Sequence, residues 1–177
     1  MDLASCFAAL VDYPGPEISA LVDEGVSALA PAHPEAASAL REFQAEERSV
    51  GLGRLQEIYT ATFDLRPDLT PNIGHHLFGE DGRRNLFMAR LKGFLEERSI
   101  AVEPELPDHL SLVLRLLAAQ GPGPESAVLV DECLVPAVSR MLQALEPANT
   151  YRGALQALLL WLKEPTAAAP GGLPKEV

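Results

Sequence analysis

Cysteine is scarce in this sequence. Only Cys6 and Cys133 are present, and neither belongs to a C-x-x-C motif or to another spacing that would hold a metal or a redox centre. A disulfide framework and a cysteine-based zinc site are therefore excluded. We expect both thiols to behave as small apolar side chains in a protein from a reducing compartment.

Long apolar runs are also missing. The longest, from Ala154 to Leu162, is interrupted by Gln156 and is too short to cross a bilayer. The N-terminal segment carries Asp2 where a secretory signal would carry a basic residue, and its apolar run ends at Asp12. The sequence therefore predicts a soluble cytoplasmic protein without direct membrane insertion.

Basic charge is in short supply. The chain has 14 Lys and Arg against 25 Asp and Glu, which gives a formal net charge of −11. A phosphate backbone would be repelled by such a surface, and only Arg83 and Arg84 form an adjacent basic pair. Nucleic acid is therefore not an expected partner, whereas basic partners are favoured because opposite charge steers their encounter.

Motifs for catalysis or phosphate binding do not occur. The sequence contains no G-x-S-x-G, no H-E-x-x-H and no glycine-rich phosphate loop, so we expect no enzyme activity and no cofactor of the protein's own. One alternative stays open, because four ligand-type side chains invite a small helical metal-binding protein or enzyme: His75, His76, Asp108 and His109. Adjacent histidines on a helix point about 100° apart, which argues against a shared ion.

Helical periodicity dominates what is present, and no strand-like alternation competes with it. The pattern predicts an all-α, single-domain helical bundle of about seven to nine helices over residues 1–164. Residues 165–177 are rich in alanine, glycine and proline and are predicted to form a disordered tail. Residues 64–74 are predicted as a long irregular loop, and the run Glu46-Glu47-Arg48 as a solvated helix face.

Two stretches combine ionisable or aromatic residues that could form a functional site. In Glu105-Leu106-Pro107-Asp108-His109-Leu110, we expect a helix to begin near Pro107, with Asp108 in its first turn and available to cap it. Tyr59 and Phe63 lie four residues apart on one helix face, directly before Asp64 and the long loop. These rings are expected to be core residues or to border a groove that is apolar inside and acidic at its rim, which suits a basic amphipathic peptide helix.

Several motifs, taken in order, resemble a known signature. They are Tyr59-Thr60-Ala61-Thr62-Phe63-Asp64, His76-Leu77-Phe78 before Gly79-Glu80-Asp81-Gly82-Arg83-Arg84, Leu91-Lys92, and the segment Glu105 to Leu110. Their order and spacing are similar to those of the NarJ and TorD family of system-specific molybdoenzyme chaperones, nearer to the nitrate reductase delta subunit branch. The resemblance covers about residues 50–120.

The resemblance implies an all-helical cytoplasmic chaperone that is not an enzyme. Such chaperones bind the N-terminal signal or signal-remnant peptide of a molybdoenzyme catalytic subunit. They hold that client until molybdopterin guanine dinucleotide and iron–sulfur clusters are inserted, and so delay export or membrane attachment. On this basis the expected peptide-binding residues are Tyr59, Phe63, Asp64, Glu105, Asp108 and His109.

The loop after Asp64 departs from the nitrate-type pattern. It carries Leu65-Arg66-Pro67-Asp68-Leu69 where that branch often has a polar, basic stretch. The client therefore stays open among nitrate reductase and related molybdoenzymes that act on perchlorate, selenate, dimethyl sulfide or ethylbenzene. A generic helical adaptor without a cofactor-linked client is a third interpretation. His109 beside Asp108 is expected to titrate near neutrality and so to provide a pH switch.

Overall fold

Helices supply the regular structure of the chain. The computed structural model describes residues 2–164, and in that range it contains no strand, only one isolated bridge between Asn72 and His109. The α-helical segments are α1 Leu3–Leu10, α2 Ile18–Leu29, α3 Pro34–Val50, α4 Leu52–Tyr59, α5 Ile73–Phe78, α6 Gly82–Glu97, α7 Leu110–Gln120, α8 Pro124–Val128, α9 Val135–Ala144 and α10 Arg152–Lys163. The all-α prediction is confirmed; the predicted disordered tail, residues 165–177, lies outside the described residues.

Two helices continue through π-helical turns. The first turn, Thr60–Asp64, extends α4, and the second, Leu129–Leu134, joins α8 to α9. Residues 2–164 thus form nine continuous helices, within the predicted range. Pro136 lies directly after the second turn and has no N–H to donate. A wider π turn relieves the clash that a proline ring would otherwise make with the preceding helical turn.

The loop predicted for residues 64–74 is more regular than expected. Pro67–Leu69 forms a short 3-10 turn, and helix α5 begins at Ile73, inside the predicted loop. Leu69 and Ile73 are both fully buried, so tertiary packing rather than local propensity orders this segment. The prediction of an irregular stretch was therefore wrong at its C-terminal end.

Helix α3 lies at the centre of the bundle, where α2 and α10 pack against it, while α1 packs against α7. Its buried positions Ala36, Leu40 and Phe43 repeat at three- and four-residue steps. Glu47 follows at the next such step and is buried, where it accepts a hydrogen bond from Ser19 Oγ. The prediction that Glu47 belongs to a solvated face was wrong because its place on the helix puts it on the core side.

Helix α7 begins at Leu110, later than predicted from Pro107. Leu106–His109 instead forms a turn, closed by a hydrogen bond of 2.9 Å from the His109 N–H to the Leu106 carbonyl. Pro107 suits the second position of such a turn because its ring fixes φ near −65°. His109 then caps the helix, and Asp108 stays outside it.

Between residues 2 and 164, no helix combines the length and the apolar character that a bilayer crossing requires.

The contact between α3 and α10 yields a stability prediction. A Cβ added at Gly153 would lie 2.7 Å from the Ala39 carbonyl oxygen and 2.8 Å from the Phe43 nitrogen. Since backbone cannot yield as a flexible side chain can, Gly153→Ala should lower the free energy of unfolding by about 1–3 kcal/mol. Chemical denaturation measures this.

Gly93 in α6 provides the matched control, because nothing lies within 4 Å of a Cβ built there. Gly93→Ala should raise stability by about 0.4–1 kcal/mol through the reduced entropy of the unfolded chain. Equal effects of the two substitutions would contradict the close approach of α10 to α3.

Candidate functional site

A cavity of about 640 Å³ opens where five segments of the chain meet. These segments are the loop after α1, the end of α4 with its π turn, the stretch before α5, the connector before α7, and α7 itself. The lining residues are Asp12 and Tyr13; Tyr59, Phe63 and Asp64; Thr70, Pro71 and Asn72; Ala101, Val102, Glu103, Pro104, Glu105 and His109; and Ser111, Leu112 and Arg115.

The cavity lining is acidic. It contains four carboxylates, those of Asp12, Asp64, Glu103 and Glu105, and one guanidinium, that of Arg115. With His109 neutral, the formal charge of the lining is 1 − 4 = −3. Such a concentration of one sign in a concave site focuses the field and attracts cations.

Aromatic rings form the apolar part of the same cavity. Tyr59 and Phe63 are both buried, with ring centroids 4.9 Å apart, and both lie within 6 Å of the Tyr151 ring. Tyr13 packs edge-on against Tyr59 but remains 56% exposed at the opening. Tyr59 and Phe63 therefore belong to the core and also line the cavity, so the two interpretations of this pair both hold.

The Tyr59 hydroxyl shows how the acids and the rings are combined. It donates a hydrogen bond of 3.2 Å to the Val11 carbonyl, which holds the loop after α1 against α4. Burial raises the pKa of this hydroxyl, and the nearby charges of Asp12, Asp64 and Glu105 raise it further. Three carboxylates thus act on one aromatic residue of the cavity, so negative potential and apolar surface occur in the same site.

His109 lies in the cavity wall and caps α7. Its Nδ1 accepts a hydrogen bond of 3.3 Å from the Ser111 N–H, and its Nε2 lies 3.9 Å from Glu105 Oε2. Burial lowers the pKa of the imidazole below its ordinary value of 6.5, although Glu105, Asp12 and Asp108 act in the opposite direction. The ring is therefore neutral at pH 7, and protonation comes at a lower pH than a free histidine would show.

Asp108 does not reach the cavity surface. Its side chain is fully buried and pairs with Arg84 of α6, with 3.0 Å between Arg84 Nε and Asp108 Oδ2. Its carbonyl accepts a hydrogen bond of 2.8 Å from the Ile73 N–H, and the Leu110 N–H bonds to the Pro71 carbonyl at 2.8 Å. The carboxylate that was expected to cap α7 thus joins α6 to the connector before α7 instead, while backbone groups of Asp108 and Leu110 bind the chain at the start of α5.

The structure brings five of the six predicted site residues to one cavity: Tyr59, Phe63, Asp64, Glu105 and His109. Asp108 lies behind them, next to His109 in the chain, and positions the wall. Peptide binding by all six residues stays a prediction. The sequence analysis missed four charged or aromatic lining residues, namely Asp12, Tyr13, Glu103 and Arg115. Only the polar turn Asp12-Tyr13-Pro14 before α2 carried a local signal.

The four residues of the metal or enzyme alternative do not converge. His76 bonds through Nε2 to the Thr70 carbonyl at 2.7 Å, while Asp108 faces Arg84 and His109 faces Ser111. The rings of His75 and His76 lie edge to face, 5.8 Å between centroids. Across residues 2–164, no group of three or more His, Cys, Asp or Glu side chains is arranged to hold a metal ion.

Comparison with known proteins identifies a family. The family model described as nitrate reductase delta subunit matches residues 27–147. No curated protein matches the chain. The matched range includes all six predicted site residues but not Asp12 or Tyr13. The resemblance drawn from the motifs is confirmed at the level of the family.

The Arg84–Asp108 pair yields a prediction on stability. Asp108→Asn removes one charge of a pair in which Asp108 is fully buried, so Arg84 keeps an uncompensated charge. We expect the free energy of unfolding to fall by about 2–4 kcal/mol, less than for a fully buried partner because Arg84 retains some access to water. Urea denaturation measures the loss.

The control is Asp23→Asn, which breaks the ion pair of Asp23 with Arg48. Both of these side chains are about half exposed, so stability should change little. A similar loss of stability in both variants would contradict a larger contribution of the buried Arg84–Asp108 pair to the fold.

The buried imidazole predicts a pH dependence. Because the pKa of His109 is lowered on folding, the unfolded chain takes up the proton first, and stability falls as the pH drops below 6.5. His109→Asn keeps a side-chain oxygen for the helix cap but cannot titrate. Between about pH 7.5 and about pH 5.5 its stability should therefore vary less than that of the wild type.

Thermal unfolding at several pH values tests this, with His75→Asn as the control because His75 lies outside the cavity and is only partly buried. If His109→Asn retained the full pH dependence of the wild type, burial of the His109 ring would not be its source.

Proposed function

Because the chain belongs to the nitrate reductase delta subunit family, we propose that it acts in the cytoplasm by binding the N-terminal peptide of a molybdoenzyme catalytic subunit in the acidic cavity. Members of this family are chaperones of molybdoenzyme assembly and are not catalytic. The family indicates a nitrate reductase-type catalytic subunit as the partner. The peptide, the cavity and the residues that recognise it are the proposed part.

The observation that carries the proposal is the placement of carboxylates over aromatic rings in one cavity. Asp64, Glu103 and Glu105 are exposed, whereas Tyr59 and Phe63 beneath them are buried. An amphipathic peptide with basic and apolar side chains matches both parts of this surface. Signal and signal-remnant peptides have that composition.

The size of the cavity limits how much of a peptide it holds. A volume of about 640 Å³ is in the range of pockets that take a small molecule, and so fits a few side chains rather than a whole helix. We infer that two or three peptide side chains enter as anchors, while the remainder lies across the exposed opening beside Tyr13 and Leu106.

Charge sets the kinetics of this recognition. With a net charge of −11 the whole protein attracts a basic peptide, and the lining of −3 concentrates that attraction at the cavity. Apolar contacts with the rings then slow dissociation. Binding should therefore weaken as salt screens the exposed carboxylates.

Binding of its N-terminal peptide by the chaperone delays the export or membrane attachment of the client. A peptide held by the chaperone cannot engage export or membrane-attachment machinery, so the client stays available until its molybdopterin guanine dinucleotide and iron–sulfur clusters are inserted. The chaperone needs no cofactor of its own for this role.

Calorimetric titration tests the proposal. The ligand is a synthetic peptide with the N-terminal sequence of a nitrate reductase-type molybdoenzyme catalytic subunit. We expect saturable binding that weakens as NaCl is raised from about 50 to about 500 mM. Glu105→Gln should weaken binding about three- to tenfold, because a cavity carboxylate that faces the peptide cations is lost.

Glu42→Gln is the matched control. Glu42 is exposed on α3 and does not line the cavity, so the substitution makes the same change in net charge at a distance. Absence of peptide binding at low salt would refute the proposed function. Equal effects of Glu105→Gln and Glu42→Gln would refute the assignment of the cavity.

A further inference from the structure

One basic residue lines the otherwise acidic cavity. The Arg115 guanidinium, from the middle of α7, forms an ion pair with the Asp12 carboxylate on the loop after α1. The two side chains are 46% and 30% exposed, and both line the cavity. The protein thus places a cation of its own where a ligand cation would otherwise meet a fourth carboxylate.

The positive charge of Arg115 acts on other groups in the cavity wall. It acts to lower the pKa of His109 in the cavity wall, against the opposite action of Asp12 and Glu105. No other Lys or Arg is among the residues that line the cavity. Arg115 therefore supplies the positive potential at the surface of the cavity, and it does so next to Asp12.

The ion pair is not the sole attachment of the loop after α1. The Tyr59 hydroxyl bonds to the Val11 carbonyl, and Gln56 Nε2 donates to the Pro14 carbonyl at 2.9 Å. Exposed ion pairs add little to stability in general. The contact between Arg115 and Asp12 is thus better suited to setting the charge of the cavity than to holding the fold.

We propose that Arg115 is a specificity-determining residue. It pairs with Asp12 and so directs the basic side chains of a bound peptide to the other carboxylates of the cavity, Asp64, Glu103 and Glu105. This inference rests on the proposed function and deepens it. The guanidinium excludes peptide cations from one side of the cavity and leaves the exposed Tyr13 ring on that side for an apolar side chain. The peptide is thereby given one orientation, with its basic residues toward the π turn after α4 and the connector before α7.

The proposal predicts a gain of affinity when Arg115 loses its charge. Arg115→Met keeps an aliphatic stem against α7 but frees Asp12, so the same catalytic-subunit peptide should bind about three- to tenfold more tightly and with a steeper dependence on salt. Asp12→Asn should weaken binding, since Arg115 then faces the peptide without a partner. The double variant should return close to the wild-type affinity.

Calorimetry on these four proteins forms a double-mutant cycle, with circular dichroism and thermal unfolding to establish that each is folded. Arg48→Met is the matched control, because Arg48 forms a comparable exposed pair with Asp23 and does not line the cavity. Arg115→Lys, which keeps the charge, should bind like the wild type.

The two proposals fail in different ways. If neither the wild type nor Arg115→Met binds the peptide, both proposals are overturned. If the wild type binds and depends on Glu105, but Arg115→Met matches Arg48→Met in affinity and in salt dependence, the role of Arg115 alone is overturned. A double variant that bound as tightly as Arg115→Met would also contradict it, because the release of Asp12 would then not be the source of the gain.

Discussion

The ion pair between Arg84 and Asp108 is the contact on which the cavity wall depends. It ties α6 to the segment before α7, and the Asp108 carbonyl at the same time receives the Ile73 N–H at the start of α5. A Cβ at Gly74 would lie 2.5 Å from Asp108 Oδ2, so the backbone at Gly74 packs against this carboxylate and leaves no room for a side chain. His109 is held in the wall because its neighbour Asp108 is anchored behind it.

Packing and surface charge use different residues of the same cavity. The rings of Tyr59 and Phe63 are packed with Tyr151 in the core, so their removal would damage the bundle. The carboxylates of Asp64 and Glu105 are exposed and contribute little to packing. Selection can therefore alter the charge of the opening without removing the packed rings, since the exposed carboxylates are not part of the core.

The parts of the structure that were predictable from sequence are those with local causes. The buried face of α3 follows the helical period, and Asp81 at the start of α6 accepts a hydrogen bond from the nearby Arg83 N–H. The motifs also named five residues that line one cavity. What was missed depends on distant partners. Asp108 looked like a helix cap because Arg84 lies far away in sequence, and the Asp12–Arg115 pair joins a residue that precedes the family match to one within it.

Part of the cavity comes from outside the span shared with the family. Asp12 and Tyr13 precede residue 27, where the match begins, whereas the rings and the remaining acids lie within it. The opening is thus assembled from a part that matches the family model and an N-terminal wall that precedes the match. A chimaera that exchanges only the loop after α1 between two relatives would change the charge and the aromatic surface of this wall and leave the matched part of the cavity intact.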